Sequence, residues 1–560
     1  MSESGKEIFV LKKFLSWGNL LLLCGLVLAF FLFQDYGASW DEPEYYEYAG
    51  NTLRAYSIKD RVTGEFNLAA NLGPADLRYY GPSYLIFWGL PVRTILRLFF
   101  PNVVEIDLWH LVNYLFYVLG GWIFFKLVSQ WVSNKAGLAA TLLFWTQPIL
   151  FGSAWINPKD IPFLVLFIGS VYFGIKATER LDRIGEIAFP PIPQHSNDNP
   201  TPGKWVLVVF AVLSLALLGS FIFTDSIELF IEQQIINIYH LEPQTLLRKV
   251  FDRAAPTATL DTLNLFSTKA ITLFKRYRVL AVVLSALLFV WAYVTRRFPG
   301  FWKASFAGLK TYWKELFQNR PWQTAGVLAL AVLFLGSAVS ARIIGPLAGV
   351  LVVMYAFLRF RWKSVPLLLV YGIASFAVMV ISWPYLWENT MENLLFVLSR
   401  NTEFPTIYNI FFNGVVYKSN NLPVSYLPTL LSITLTEISL PLFIFGLTLW
   451  GLDLRKKKGH FLLGVLFLLW FLIPLLYVLI FQPPLYDSYR HFFFILPAIF
   501  LIGSYGLEFL LNKIKRVRWQ VVLITVLLLP SMVSIIRLHP YEYAYYNSFV
   551  GGDEKRDAKV

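Results

Sequence analysis

FLSWGNLLLLCGLVLAFFLFQDYGASWDEPEYYEYAG, residues 14–50, sets two demands on the fold. Phe14 to Phe33 is an uncharged apolar run of about twenty residues, long enough to cross a hydrocarbon core as a helix. Asp41, Glu42, Glu44 and Glu47 then arrive within seven positions, among tyrosines and beside Trp40. A span that empties into carboxylates places acids just beyond the bilayer. Lys6, Lys12 and Lys13 precede the run, which is too long for a signal-peptide core and has no small-residue cleavage site after it. It reads as a retained span.

The rest of the 560 residues repeats the pattern. The chain is 57% hydrophobic and 15% charged, against about 25% charged in soluble domains. The net charge of +13 is not a nucleic-acid signal, because the basic residues gather in short loops between apolar runs. Cys24 is the single cysteine, so no disulfide within the chain and no cysteine-based metal site can form. The sequence predicts an all-α polytopic membrane protein with about thirteen spans, near 14–33, 107–128, 135–152, 161–177, 205–224, 279–295, 323–341, 344–360, 364–383, 427–450, 461–481, 492–511 and 519–537. With the N-terminus cytoplasmic, RFRWK (359–363), LRKKKGH (454–460), NKIKRVR (512–518) and the basic stretch 296–321 all fall inside. The opposite short loops, 153–160 and 482–491, hold only Lys159 and Arg490 as basic residues. That is the positive-inside pattern, and it puts the C-terminus on the outer face.

One membrane domain, 1–560, is expected. It has outer segments at 34–106, 225–278 and 384–426, an inner linker at 178–204 (five prolines within 184–204), and an outer tail at 538–560. Arg93 and Arg97, four apart in YLIFWGLPVRTILRLFF (84–100), share one helical face and suit a helix lying in the interface, or an extra short span. The segment 225–278 reads as surface helices. No internal repeat or inverted half is visible, which weighs against a transporter.

Polar groups gather at the outer ends of spans: Asp41 and Glu42 after the first, Lys159 and Asp160 in INPKDIPF, and Arg342 in GSAVSARIIGP. Tyr486, Asp487, Arg490 and His491 lie in PPLYDSYRHFFF, and His539 and Glu542 in LHPYEYAYYNSFVGG. Individually, such residues are often solvated acids, surface pairs or snorkelling cations. Glu437 reads as mid-span, where burial needs a partner. Phosphate-binding glycine loops, HExxH and GxSxG are absent. Carboxylates beside cations at headgroup depth suit transfer from a lipid phosphate. A carboxylate takes the proton of an acceptor hydroxyl, and cations stabilise the leaving phosphate.

WDEP after the first span, then NPKD, GSAVSARIIGP, WPYLWENT, YDSYRHFFFILP and HPYEYAYYNSFVGG in order, together resemble bacterial GT-C type membrane glycosyltransferases of the protein O-mannosyltransferase-like superfamily. The aminoarabinose transferase of lipid A and the catalytic subunit of oligosaccharyltransferase share that plan. The resemblance implies a polyprenyl-phosphate sugar donor, Asp41 as the catalytic carboxylate with Glu42 beside it, and Asp160 as a second acid that positions substrate or metal. It implies donor-phosphate contacts from Lys159, Arg342 and Arg490, with His491 and Tyr486 nearby. A divalent metal stays open, since relatives differ and the sequence requires none.

The expectation is a glycosyltransferase in the plasma (inner) membrane, acting on its outer face among membrane lipids. It moves a sugar, with inversion, to a hydroxyl of a protein, lipid or glycan acceptor; nucleic acid is not a partner. The rivals are a lipid-linked-sugar flippase or transporter, disfavoured by nearly uncharged spans, and a polysaccharide polymerase or ligase.

Overall fold

The computed structural model describes residues 17–62, 77–184, 219–254, 301–318, 320–402, 407–455 and 461–551, with single positions at 72 and 217 and between 263 and 285. The chain divides into two compact units, Met1–Arg183 with Leu316–Val560, and Ile184–Glu315. Most of the expected span 205–224, and nearly all of 279–295, lies outside the described residues. So do Lys6, Lys12, Lys13, Arg296, Arg297, most of LRKKKGH, most of the linker 178–204, and the end of the tail beyond 551.

Seven described helices are long and apolar enough to cross a membrane: Glu105–Val128, Asp160–Arg183, Pro321–Ala341, Pro346–Ser382, Phe461–Phe481, Arg490–Lys513 and Val517–Leu538. Counting each of two bent pairs as one span gives nine. The fold is that of an α-helical polytopic membrane protein, with one antiparallel hairpin among the described residues, β1 (Asn409–Phe412) and β2 (Val415–Lys418). Trp17–Leu32 is apolar over 16 described residues. The run Pro346–Ser382 is two helices. As one helix its 37 residues would reach about 55 Å, far beyond a hydrocarbon core. It is interrupted at Arg361 (φ +49°) and the 3-10 turn Arg361–Ser364, where the sequence places an inner loop.

Two expected spans are not continuous. The stretch 135–152 bends by 63° between Asn134–Trp145 and Pro148–Ile156, because Pro148 cannot extend the preceding hydrogen-bond ladder. The stretch 427–450 bends by 105° between Tyr426–Thr434 and Ser439–Leu454. Carbonyls freed at this second break are taken by the tail: Asn547 Nδ2 donates to Ser432 O (2.7 Å) and Leu435 O (2.9 Å), and its backbone N–H to Ile433 O (2.7 Å). The two breaks also meet, since the Thr436 N–H donates to Gln147 Oε1 at 3.0 Å. Glu437 is therefore not mid-span. It sits in the bend, half-buried, and accepts the Ser548 N–H at 2.9 Å.

Asp160–Thr178 is the central helix of the first unit, enclosed by Glu105–Val128, Pro321–Ala341 and Pro346–Phe360. Arg93 and Arg97, on the helix Leu90–Phe99, both pair with Glu105, so they do share a face. The 384–426 segment holds helix Thr390–Thr402 and the hairpin. The second unit contains helices Thr224–Tyr239 and Leu246–Ala254, with ion pairs Lys275–Glu228 and Arg248–Asp252, both at 2.8 Å.

Candidate functional site

Trp17–Leu32, Pro148–Ile156, Pro321–Ala341 and Val517–Leu538 all finish, and Asp160–Thr178 begins, beside one of two adjoining cavities. The larger, about 1060 Å³, lies among residues 35–45, the 157–159 turn, residues 486–490 and the tail around Tyr541–Tyr546. The smaller, about 180 Å³, is walled by apolar side chains such as Trp383, Pro484 and Phe492, with Arg342 and His491 its basic members. Tyr80 and Tyr486 line both and mark the junction.

Asp41 stands immediately before helix Glu42–Ala55 and does not cap it. Its carboxylate instead accepts from Arg490 Nη1 at 3.0 Å. Arg490 Nη2 donates to Asp487 at 2.8 Å, and its Nε lies 3.8 Å from Asp160 Oδ2. The other Asp160 oxygen pairs with Arg342. Asn157 builds this turn: its Oδ1 accepts the N–H groups of Lys159 (3.1 Å) and Asp160 (2.7 Å), while its Nδ2 donates to Asp160 Oδ2 (3.1 Å). Asp41, Asp160, Arg342 and Arg490, spread over 450 positions, thus form one ion-pair network. Burial opposes the charge of Arg342, but Asp160 together with Tyr80, Tyr45 and Tyr486 outweighs it and raises the pKa.

Lys159 lies differently. It makes no ion pair among the described residues, and its ammonium rests 3.7 Å from the Tyr80 ring centroid and 5.4 Å from that of Tyr45. Burial, with Arg342 nearby, brings its pKa down to about 7, against the pull of Asp160. Several buried polar atoms in the cluster lack a hydrogen-bond partner among the described residues: Arg342 Nε, Arg490 Nε, Tyr45 Oη and His491 Nε2. His491 packs edge-on against Tyr486, with ring centroids 4.7 Å apart.

Glu42 is fully buried and turns away from the cavity that Asp41 lines. It accepts from the Ser39 N–H and from Tyr46 Oη, each at 2.7 Å, and lies 3.2 Å from His110 Nε2. The geometry makes it an anchor for the loop that carries Asp41. On the far side of the cavity, His539 bridges Asp35 (3.1 Å) and the buried Glu542 (2.9 Å), which also accepts from Tyr36 Oη at 3.0 Å.

The structure sets Asp41, Lys159 and Arg490 along the larger cavity, Arg342 and His491 along the smaller and Tyr486 along both, with Asp160 buried between the two guanidinium groups and Glu42 behind. Tyr45, Tyr80 and Asn157 were missed by sequence reasoning. The asparagine three residues before a helix start was a readable signal, whereas two tyrosines among twenty-nine carried none. Among the described residues no three His, Cys, Asp or Glu side chains converge in a way that could hold a metal ion; Asp41, Asp160 and Asp487 meet guanidinium groups. No protein-family model matches the sequence, and no curated protein matches it.

Proposed function

We propose that the protein is a GT-C type membrane glycosyltransferase that moves a sugar from a polyprenyl-phosphate donor to an acceptor hydroxyl. The observation that carries this reading is the placement of Arg342 and Arg490, each with an unpartnered buried Nε, together with Lys159 and His491, where an apolar pocket adjoins a polar cavity holding Asp41. The apolar pocket suits the first isoprene units, the junction suits the phosphate, and the larger cavity suits sugar and acceptor. Arg binds phosphate through its planar fork and keeps its charge throughout. As the phosphate takes over Arg490, Asp41 is released from its ion pair and becomes available as a base. The acceptor oxygen then bonds to the anomeric carbon, the carbon–oxygen bond to phosphate breaks, and the electron pair leaves with polyprenyl phosphate. The proton passes to Asp41. Direct displacement inverts the anomeric centre.

The same reading extends to topology. Eleven helical passages in the first unit, with the apolar stretches 205–224 and 279–295, make thirteen spans. Basic inner loops then set the site on the outer face of the plasma membrane, with the N-terminus cytoplasmic.

Purified protein incubated with radiolabelled polyprenyl-phosphate sugars tests this. The expected result is release of polyprenyl phosphate with loss of about 10²–10⁴ in rate in Asp41→Asn. Donor binding should weaken in Arg342→Ala and Arg490→Ala, with Lys replacements intermediate. Wild-type affinity in both Ala variants would place the phosphate elsewhere.

A further inference from the structure

The larger cavity exceeds the roughly 300–1,000 Å³ of ordinary small-molecule sites, and its wall is unusual. Trp40 is 95% exposed beside Asp41, and Tyr408, Tyr541 and Tyr543 also present large exposed rings. They come from three separate segments: the loop before helix Glu42–Ala55, the residue preceding β1, and the tail after Val517–Leu538. Aliphatic side chains are few around them. Exposed rings of this kind give flat apolar platforms, and the acids between them accept hydrogen bonds. A sugar ring offers the complementary surfaces, a C–H face for stacking and hydroxyl donors at its edge. The charged lining is acidic on balance: Asp35, Asp41, Glu44 and Asp487 against Lys159 and Arg490. Glu44 is exposed and makes no ion pair among the described residues. A phosphorylated or carboxylated acceptor would meet repulsion at this wall, which a neutral or amino sugar would not.

We infer that the acceptor is a saccharide, neutral or basic, held by stacking on Trp40 and Tyr541 across the cavity. The inference rests on the glycosyltransferase reading for the word acceptor, but its test is one of binding.

The full-length protein in detergent is titrated by saturation-transfer NMR with neutral manno-, gluco- and arabino-oligosaccharides of four to six units, with the uronic-acid counterpart of the gluco series, and with a threonine-rich peptide. At least one neutral series should bind. Trp40→Ala and Tyr541→Ala should each weaken it about three- to tenfold, at unchanged melting temperature, because both rings are exposed. Uronates should bind more weakly than neutral sugars in wild type, and Glu44→Lys should narrow that gap. The inference is overturned by binding of no neutral series, by neutral binding that survives both aromatic replacements, by preference for uronates, or by peptide binding that depends on Trp40 and exceeds that of the sugars. Saccharide binding without sugar transfer would remove the glycosyltransferase reading and leave the saccharide site standing. Donor turnover without saccharide binding would do the reverse.

Discussion

Lys159 has two tyrosine rings beside it where most buried lysines have a carboxylate. With its pKa brought down to about 7 by burial and by Arg342, it carries a full charge only below neutrality. If it grips the donor phosphate, binding above pH 7 must take up a proton. Donor affinity should then fall as pH rises from 7, by up to about tenfold per unit. A Lys159→Gln variant should bind weakly at pH 6 and lose that slope. Equal donor affinity for wild type at pH 6 and 8.5 would remove Lys159 from the phosphate site. Neighbouring acids separate in another way. Asp41→Asn should abolish transfer while leaving the melting temperature near wild type. Glu42→Leu should lower it, because the Ser39 N–H and Tyr46 Oη lose their acceptor in a fully buried place, at about 1–3 kcal/mol for each orphaned donor. A thermal melt of the two variants in detergent distinguishes the roles. The sequence could not, since adjacent acids at a helix start differ only in the direction their first turn faces.

At the scale of elements, the helices were legible because hydropathy and length identify them. The breaks were less so: Pro148 marks the first locally, but the groups that satisfy both lie hundreds of positions away, where Gln147 meets Thr436 and Asn547 takes the carbonyls freed near Leu435. The convergence of Asp41, Lys159, Arg342 and Arg490 was readable as a common side of the membrane, but not as an ion-pair network. Close approach fixes two of the elements. A Cβ at Gly81 would collide with the Ser340 carbonyl, next to Arg342, and one at Gly152 with the backbone at Tyr543. The tail is also held by charge. His539, between Asp35 and Glu542, has a raised pKa: burial lowers it, but the hydrogen bonds to both acids prevail. Its contribution to docking is therefore complete below about pH 6.5, the ordinary histidine value, and is lost as pH rises through the higher folded value. Limited proteolysis around residue 545 should speed up between pH 6 and 8.5 in wild type. A His539→Gln variant should be cleaved at one fast rate throughout, and a protected, pH-independent variant would dismiss the histidine tie.

Across the whole molecule, cavity residues occur at one end of each helix that reaches them, so residues near 57 and 548 belong to the same side of the bilayer under the proposed topology. Cysteine replacements at Ser57 and Ser548, in a background lacking Cys24, should both react with an impermeant thiol reagent from outside intact cells. Labelling of one from outside and the other only after permeabilisation would mean an odd error in the number of crossings.

Tyr36 and Glu542, whose side chains bond across 506 positions, also fix an order of events. During synthesis the loop carrying Asp41 leaves the ribosome early and waits while nearly every later helix enters the bilayer. Until residues 539–547 emerge, the cavity lacks one wall and the bend at Leu435 lacks the asparagine that satisfies it. A nascent chain consequently lacks a closed cavity throughout its insertion, and the site is completed in a single late step.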